Sequence, residues 1–440
     1  MKKKAIILFL MSLLLWSGSA YAQRFLMDMV DTTNQVGKGL LSIYEKYNRV
    51  RISGYIQPQF QLTTTNGAET FDGGNFSLYS NSRFMLRRGR LRVDYTHLTK
   101  NGDPSTYFVF QFDGTERGFF TRDFFGRFYE NKFKLLSVTT GLFARPFGYE
   151  VNLSSATRES PERGRMSQIL MKTERDIGVM LTLNDRRKNS RFGKIKVDIG
   201  LFNGQGLSGP TDFDGQKDLI ARISLLPTKM KGSKGPTLTA GVSGYLGGMT
   251  SQSQVLYRAT QVAGKYIMQR DSSLRNQHKL APRNYAGADM QLIIPNQRGA
   301  TEFRAEYMFG TQTATLLTSE SPGVYPVTNG KNDPLYIRRF DGAYFYFLQH
   351  LGSEKHQLVV KYDWYDPNKK VAGTALVPDD GFTKADLRFN SLGAGYVYYA
   401  NPNLKFILYY NRVKNEKSGL TGFERDPNDD VFTGRVQYAF

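Results

Sequence analysis

Arg51-Ile52-Ser53-Gly54-Tyr55-Ile56-Gln57-Pro58-Gln59-Phe60-Gln61-Leu62-Thr63 is the stretch on which the fold turns. Ile52, Gly54, Ile56, Pro58, Phe60 and Leu62 take its even positions. Arg51, Ser53, Tyr55, Gln57, Gln59, Gln61 and Thr63 take the odd ones. Successive side chains of a strand point to opposite faces, so this reads as a strand with one apolar face and one wet face. Pro58 brings no ladder donor and points to a bulge.

The same period returns down the chain. Ile177, Val179, Leu181 and Leu183 alternate with Asp176, Gly178, Met180 and Thr182. Ile195, Val197, Ile199 and Leu201 alternate with Lys194, Lys196, Asp198 and Gly200. Leu238, Ala240 and Val242 do so with Thr237, Thr239 and Gly241, and Phe303, Ala305, Tyr307 and Phe309 with Glu302, Arg304 and Glu306. Long polar connections fall near Thr64–Asn81, Pro146–Arg175, Gly247–Arg283, Thr311–Tyr336, Pro367–Asp386 and Lys414–Asp430. Between them lie short ones, at Lys100–Ser105, Glu130–Lys132, Pro295–Gly299 and Asn401–Asn403. About sixteen strands with this alternation predict an all-β protein, a transmembrane antiparallel β-barrel over residues 51–440. The long loops are then extracellular and the short turns periplasmic.

Composition agrees. The chain has 440 residues, a formal charge of +20 and no cysteine. A mean hydropathy of −0.44 excludes an ordinary helical membrane protein, but a barrel shows lipid only one face of each strand. The 31 phenylalanines and 26 tyrosines suit the aromatic girdles that such barrels carry. Residues 1–22 read as a signal peptide: Lys2, Lys3 and Lys4, an apolar run over Ala5–Trp16, then Ala20-Tyr21-Ala22 as the cleavage site. Its removal lowers the charge by three. Residues 23–50 read as a periplasmic lead-in, partly helical through Leu26, Met29, Val30, Leu40, Leu41, Ile43 and Tyr44, or as a plain linker. Export of this kind leads to the outer membrane of a Gram-negative bacterium. In the last strand Val436, Tyr438 and Phe440 share one face, which resembles the signal read by barrel-assembly machinery.

Three arginines, Arg88, Arg90 and Arg92, share one strand face. Lipid rejects Arg at the bilayer midplane by about 2–4 kcal/mol each, so this face belongs in the lumen. Either it is an anion ladder of bidentate guanidiniums, or it is neutralised by carboxylates such as Asp94, Glu302 or Glu306. Arg87 breaks the period and reads as a residue of the outer rim. The stretch Pro146–Arg175 carries Arg158, Glu159, Glu162, Arg163, Arg165, Lys172, Glu174 and Arg175. It reads as a loop folded inward to narrow the lumen, where rings of charge set selectivity, or as a solvated outer loop. His97, His278, His350 and His356 fall near turns or in a loop, and no nucleophile motif, metal-ligand spacing or phosphate loop stands out. The reading is therefore of a non-enzyme without catalytic residue, metal or cofactor. The basic residues are spread over strand faces, not clustered as in a nucleic-acid-binding domain.

Three segments resemble the phosphate-selective porins O and P and their Bacteroidetes-type relatives. They are Phe84-Met85-Leu86-Arg87-Arg88-Gly89-Arg90-Leu91, Gly141-Leu142-Phe143-Ala144-Arg145-Pro146-Phe147-Gly148-Tyr149-Glu150 and Glu174-Arg175-Asp176-Ile177-Gly178-Val179. Phe202-Asn203-Gly204-Gln205-Gly206 and Ala221-Arg222-Ile223-Ser224 follow in the expected order. The resemblance implies a sixteen-stranded homotrimer with an inward third loop and a basic pore, lined by Arg145 as well as the arginines above. The expected function is passive diffusion of small anions, phosphate among them. The alternatives are a weakly selective general porin, or an outer-membrane hydrolase or adhesin.

Overall fold

A computed structural model of the chain describes residues 49–440, apart from 189, 210–211 and 231–234. The expectations for residues 1–22, and for 23–50 as far as residue 48, lie outside the described residues.

The wall is built from sixteen strands. The first eight are β1 (Val50–Thr63), β2 (Ser82–Leu98), β3 (Pro104–Thr115), β4 (Gly118–Tyr129), β5 (Leu136–Ala144), β6 (Arg175–Asn184), β7 (Ile195–Phe202) and β8 (Asp218–Lys229). The rest are β9 (Thr237–Thr250), β10 (Leu280–Asn296), β11 (Gly299–Ala314), β12 (Leu335–His350), β13 (His356–Asp366), β14 (Phe389–Asn401), β15 (Leu404–Asn415) and β16 (Val431–Ala439). Each pairs antiparallel with its neighbours in sequence, and β16 pairs back onto β1, so the sheet closes. Closure leaves no edge, so the ladders of the wall are made within the sheet, as a bilayer demands.

Side-chain exposure inverts that of a soluble protein. Ile52 and Leu62 are 61% and 43% exposed, while Gln57 and Gln61 between them are fully buried. Ile177, Val179, Ile199, Leu201, Phe303, Tyr307 and Phe309 are exposed on the outside, and Asp176, Asp198, Arg304 and Glu306 are buried on the inside. Apolar out and polar in is the arrangement a barrel in lipid requires.

Against β16, Pro58 leaves the register unbroken: Ile56 faces Tyr438 and Gln59 faces Arg435. One local expectation is corrected. The stretch Gly247–Arg283 is not all loop. Strand β9 runs on to Thr250, β10 begins at Leu280, and a hairpin of Leu256–Val262 and Lys265–Asp271 stands between them. That hairpin adds parallel to the start of β12 through Leu256, Tyr257 and Arg258. Its Ala259 and Met268 pack with Leu376, Phe382, Leu387 and Leu420 in a small core among the long loops. The other long-loop connections stand where the sequence put them, but β3 and β4 are joined at that end by Glu116 and Arg117 alone.

Candidate functional site

The lumen is organised by the segment between β5 and β6. Residues 145–174 hold only one short helix, α1 (Arg165–Leu170), and they hydrogen-bond inward-facing side chains around much of the wall. Gly148 N–H donates to Ser243 of β9 at 3.1 Å, and Tyr149 and Glu150 N–H donate to Glu306 of β11 at 2.9 and 3.0 Å. Arg304 of β11 grips Glu159 with two bonds of 2.7 and 3.0 Å. Lys405 of β15 donates to the Ala156 carbonyl at 2.7 Å, and Tyr55 of β1 meets Ser155 at 2.6 Å. A backbone without regular structure exposes many polar groups, and this one satisfies them on the inner wall.

Glu150 is the buried pin of the segment. It accepts from Gly164 N–H, Ser167, Tyr346 and Lys361, all at 2.6–3.1 Å. Burial pushes its pKa up, but Lys361 and Ser167 outweigh burial and hold it down at about 2.

Two further carboxylates gather the arginines. Glu162 accepts from Arg88 at 2.7 and 3.1 Å, from Arg87 at 2.9 and 3.1 Å and from Arg435 of β16 at 2.8 Å, with Arg158 at 4.0 Å. Burial would raise its pKa, yet Arg87, Arg88 and Arg435 hold it well below the ordinary carboxylate range. Glu174 pairs with Arg122 of β4, with Arg163 at 3.2 Å and with Arg175 at 2.7 Å. It too lies well below the ordinary range, because Arg163 and Arg122 overcome burial. Around each carboxylate, guanidiniums outnumber the negative charge that joins them.

The expected site residues divide. Arg88 and Arg90 are buried on the inner face of β2, and Arg92 is half-buried there. Each of the three stands next to a carboxylate. Arg88 pairs with Glu162, Arg90 with Asp113 at 3.1 Å, and Arg92 with Asp94 at 2.8 Å. Glu302 and Glu306 are not among these carboxylates: Glu302 pairs with Arg304 at 2.6 Å, and Glu306 holds the inward segment. Arg145 donates to the Thr173 carbonyl and to Tyr245. Arg158 is buried against the carbonyls of Ser160 and Pro161 at 3.3 and 3.1 Å. Arg165 lies over two rings, 3.5 Å from the centre of Phe389 and 4.6 Å from that of Phe71. Arg175 bonds Asp123 at 2.9 Å.

Arg87 lines the lumen at the long-loop end. Along β2 the inward positions shift from odd to even at Arg87 and Arg88. Gln59 bonds Met85 at 3.3 Å and Arg83 bonds Gln61 at 2.8–3.0 Å, while further along Arg88 and Arg90 are the buried residues. The shift turns two consecutive arginines onto Glu162. Sequence reasoning also passed over Arg122 and Arg435. The alternation carried a signal for Arg435, since with Val436, Tyr438 and Phe440 outward it had to point in.

At the long-loop end these groups line a cavity of about 1140 Å³. Its lining holds ten basic residues, Arg87, Arg88, Arg90, Arg117, Arg122, Arg158, Arg163, Arg165, Lys172 and Lys384. It holds six acidic ones, Glu69, Asp113, Glu162, Glu174, Glu320 and Asp429. Arg92, Arg145 and Arg175 are not part of this lining.

The architecture is that of the outer-membrane porins. A Salmonella typhi OmpF structure, solved with daunomycin, is similar with a TM-score of 0.51 at 13% identity, over 89% of this chain and 97% of that one. The outer-membrane channel DcaP of Acinetobacter baumannii is similar with a TM-score of 0.50 at 11% identity, over the same shares. At such identities the likeness establishes the fold and nothing finer. No protein-family profile matches the chain, and no curated protein matches it.

Proposed function

We propose that this chain is an outer-membrane channel for passive diffusion of small solutes, with a preference for anions. The observation that supports this most is the charge of the long-loop cavity, where ten basic residues stand against six acidic ones. In a narrow lumen, poorly screened by water and salt, such an excess raises the local concentration of anions. On this reading the segment 146–175 is the constriction. The clusters on Glu162 and Glu174 then carry the selectivity more than Arg90 and Arg92, which each share one carboxylate. Inorganic phosphate is the narrower candidate that the motif resemblance adds. Outer-membrane lipid around the wall, barrel-assembly machinery and a homotrimeric state complete the proposal.

Planar bilayers under a salt gradient test it. The expected reversal potential has the sign of an anion-preferring pore. Replacing Arg87 and Arg88 together by Gln shifts it toward cations, and replacing Arg90 and Arg92 shifts it less. A wild-type channel that prefers cations overturns the proposal. The ion pairs along β2 favour a second reading, a weakly selective pore, and a permeability ratio near one in the same experiment would establish that instead. A hydrolase or adhesin gives no large stable conductance.

A further inference from the structure

Nine of the ten basic residues lining the long-loop cavity enter an ion pair: Arg87, Arg88 and Arg158 with Glu162, Arg122 and Arg163 with Glu174, Arg90 with Asp113, Arg117 with Glu116, Lys172 with Glu320 and Lys384 with Glu69. Arg165 is the exception among the described residues. It forms no ion pair there, and its guanidinium makes no hydrogen bond, although the residue is only 9% exposed. Asp429, Asp363, Asp72 and Glu69 act on its charge, all from beyond ion-pair distance. What stands against it is a pair of rings, Phe389 and Phe71. Stacking fixes the plane of a guanidinium and leaves its edge, with five N–H donors, to meet a ligand. None of the Arg165 nitrogens is among the buried polar atoms that lack a partner, so this edge opens on the cavity, and a fixed fork matches the two oxygens of a carboxylate.

We propose that Arg165 is the capture residue for organic carboxylates entering the channel, in particular those with a ring or another compact apolar body. The cavity is the reason for the apolar body. Its volume, about 1140 Å³, leaves room for a body much larger than an inorganic anion. Ile169, Leu387, Phe423 and Tyr365 line it together with Arg165. A small inorganic anion leaves that apolar surface uncovered, whereas a ring on a carboxylate covers it while its oxygens meet Arg165. This rests on the channel reading above and names the solute class for the same cavity.

The test uses the full chain in planar bilayers, with benzoate, its neutral analogue benzamide, or inorganic phosphate added on the long-loop side. Benzoate is expected to halve the chloride current at a concentration about tenfold below that of phosphate, and benzamide to leave it unchanged. Arg165→Gln should raise the half-blocking concentration of benzoate by about tenfold or more, the scale of a lost charge-assisted pair. Arg165→Lys, which keeps the charge and loses the planar fork, should raise it by a smaller factor and stands in if the glutamine variant does not insert. Phosphate block should be unmoved in both. Phosphate blocking as well as benzoate, or benzoate block unchanged in both variants, overturns the inference while leaving an anion channel in place. If the chain conducts no current, the channel reading fails by itself. Calorimetric titration of benzoate into the detergent-solubilised protein then decides: saturable heat lost in Arg165→Gln supports capture, and no heat from the wild type overturns it.

Discussion

At the scale of single residues, Glu162 has the largest consequences. Three arginines bond it and a fourth stands at 4.0 Å. Removing one partner of a buried charge cluster typically costs about 3–5 kcal/mol. Glu162→Gln should therefore lower the unfolding temperature and, by releasing positive charge, move the reversal potential further toward anions. A variant that is less stable yet unchanged in selectivity would show that the cluster is purely structural. The sign of the pH effect follows from its depressed native pKa. Stability from this group is complete above the unfolded value of about 4.3 and is lost as pH falls through the lower native value. Asp429 behaves in the opposite way. Burial raises it to about 7 against the pull of Arg165. The native state thus holds this proton more tightly than the unfolded chain, and the stability gained is lost as pH rises from about 4 through 7. Protonation adds net positive charge to the cavity, so anion preference should rise between pH 8 and pH 6. Asp429→Asn should remove that part of the pH dependence, as reversal potentials across that range would show. The inward place of Arg88 and Arg90 was legible from their spacing. Their partners were not, since Glu162 lies 74 positions from Arg88 and nothing local joins them.

At the scale of elements, the seam between β16 and β1 is the most informative. Gly54 and Phe440 exchange backbone bonds of 3.1 and 3.0 Å. A Cβ at position 54 would crowd the Arg90 carbonyl of β2 and stand 2.6 Å from the ring of Phe440. Gly54→Val should therefore push β1 from β2 as well as displace Phe440 and lower the yield of folded barrel, and removal of Phe440 should lower it by taking away the seam contact alone. Normal insertion of both variants, measured as heat-modifiable protein in outer-membrane fractions, would show that the seam needs neither. Strands of this kind were easy to read because one face must be apolar throughout. The loop hairpin Leu256–Asp271 was not, because its faces mix charge and apolar groups and it meets protein rather than lipid. Its turn is also disguised. Ala263 and Gly264 both take positive φ, 49° and 84°, where Asn-Gly is the usual signal. The turn of parity at Arg87 in β2 was hidden for a related reason: a strand's period shows which residues alternate, and not where the alternation slips by one.

At the scale of the whole molecule, the antiparallel order was readable from period-two strands joined by connections that are mostly long and short by turns, whereas closure is seen in the pairing of β16 with β1. The occupancy of the lumen was less so. That residues 145–174 would meet β1, β9, β11 and β15 depends on contacts between parts of the chain far apart in sequence, and its composition also suits a solvated loop. Because the sheet returns on itself, no strand has a free side from which peeling could start. A chain cut once should therefore remain a ring. Trypsin acting at exposed basic residues of the loop hairpin, such as Lys265 or Arg270, would sever the backbone between β9 and β10. Both fragments would still share two full hydrogen-bonded ladders, β9 with β10 and β16 with β1. An unheated gel of the nicked protein should show one folded species and a boiled one two pieces; separation before heating would mean the two ladders do not hold. Continuity of the polypeptide, on this view, is needed to assemble the ring and not to keep it.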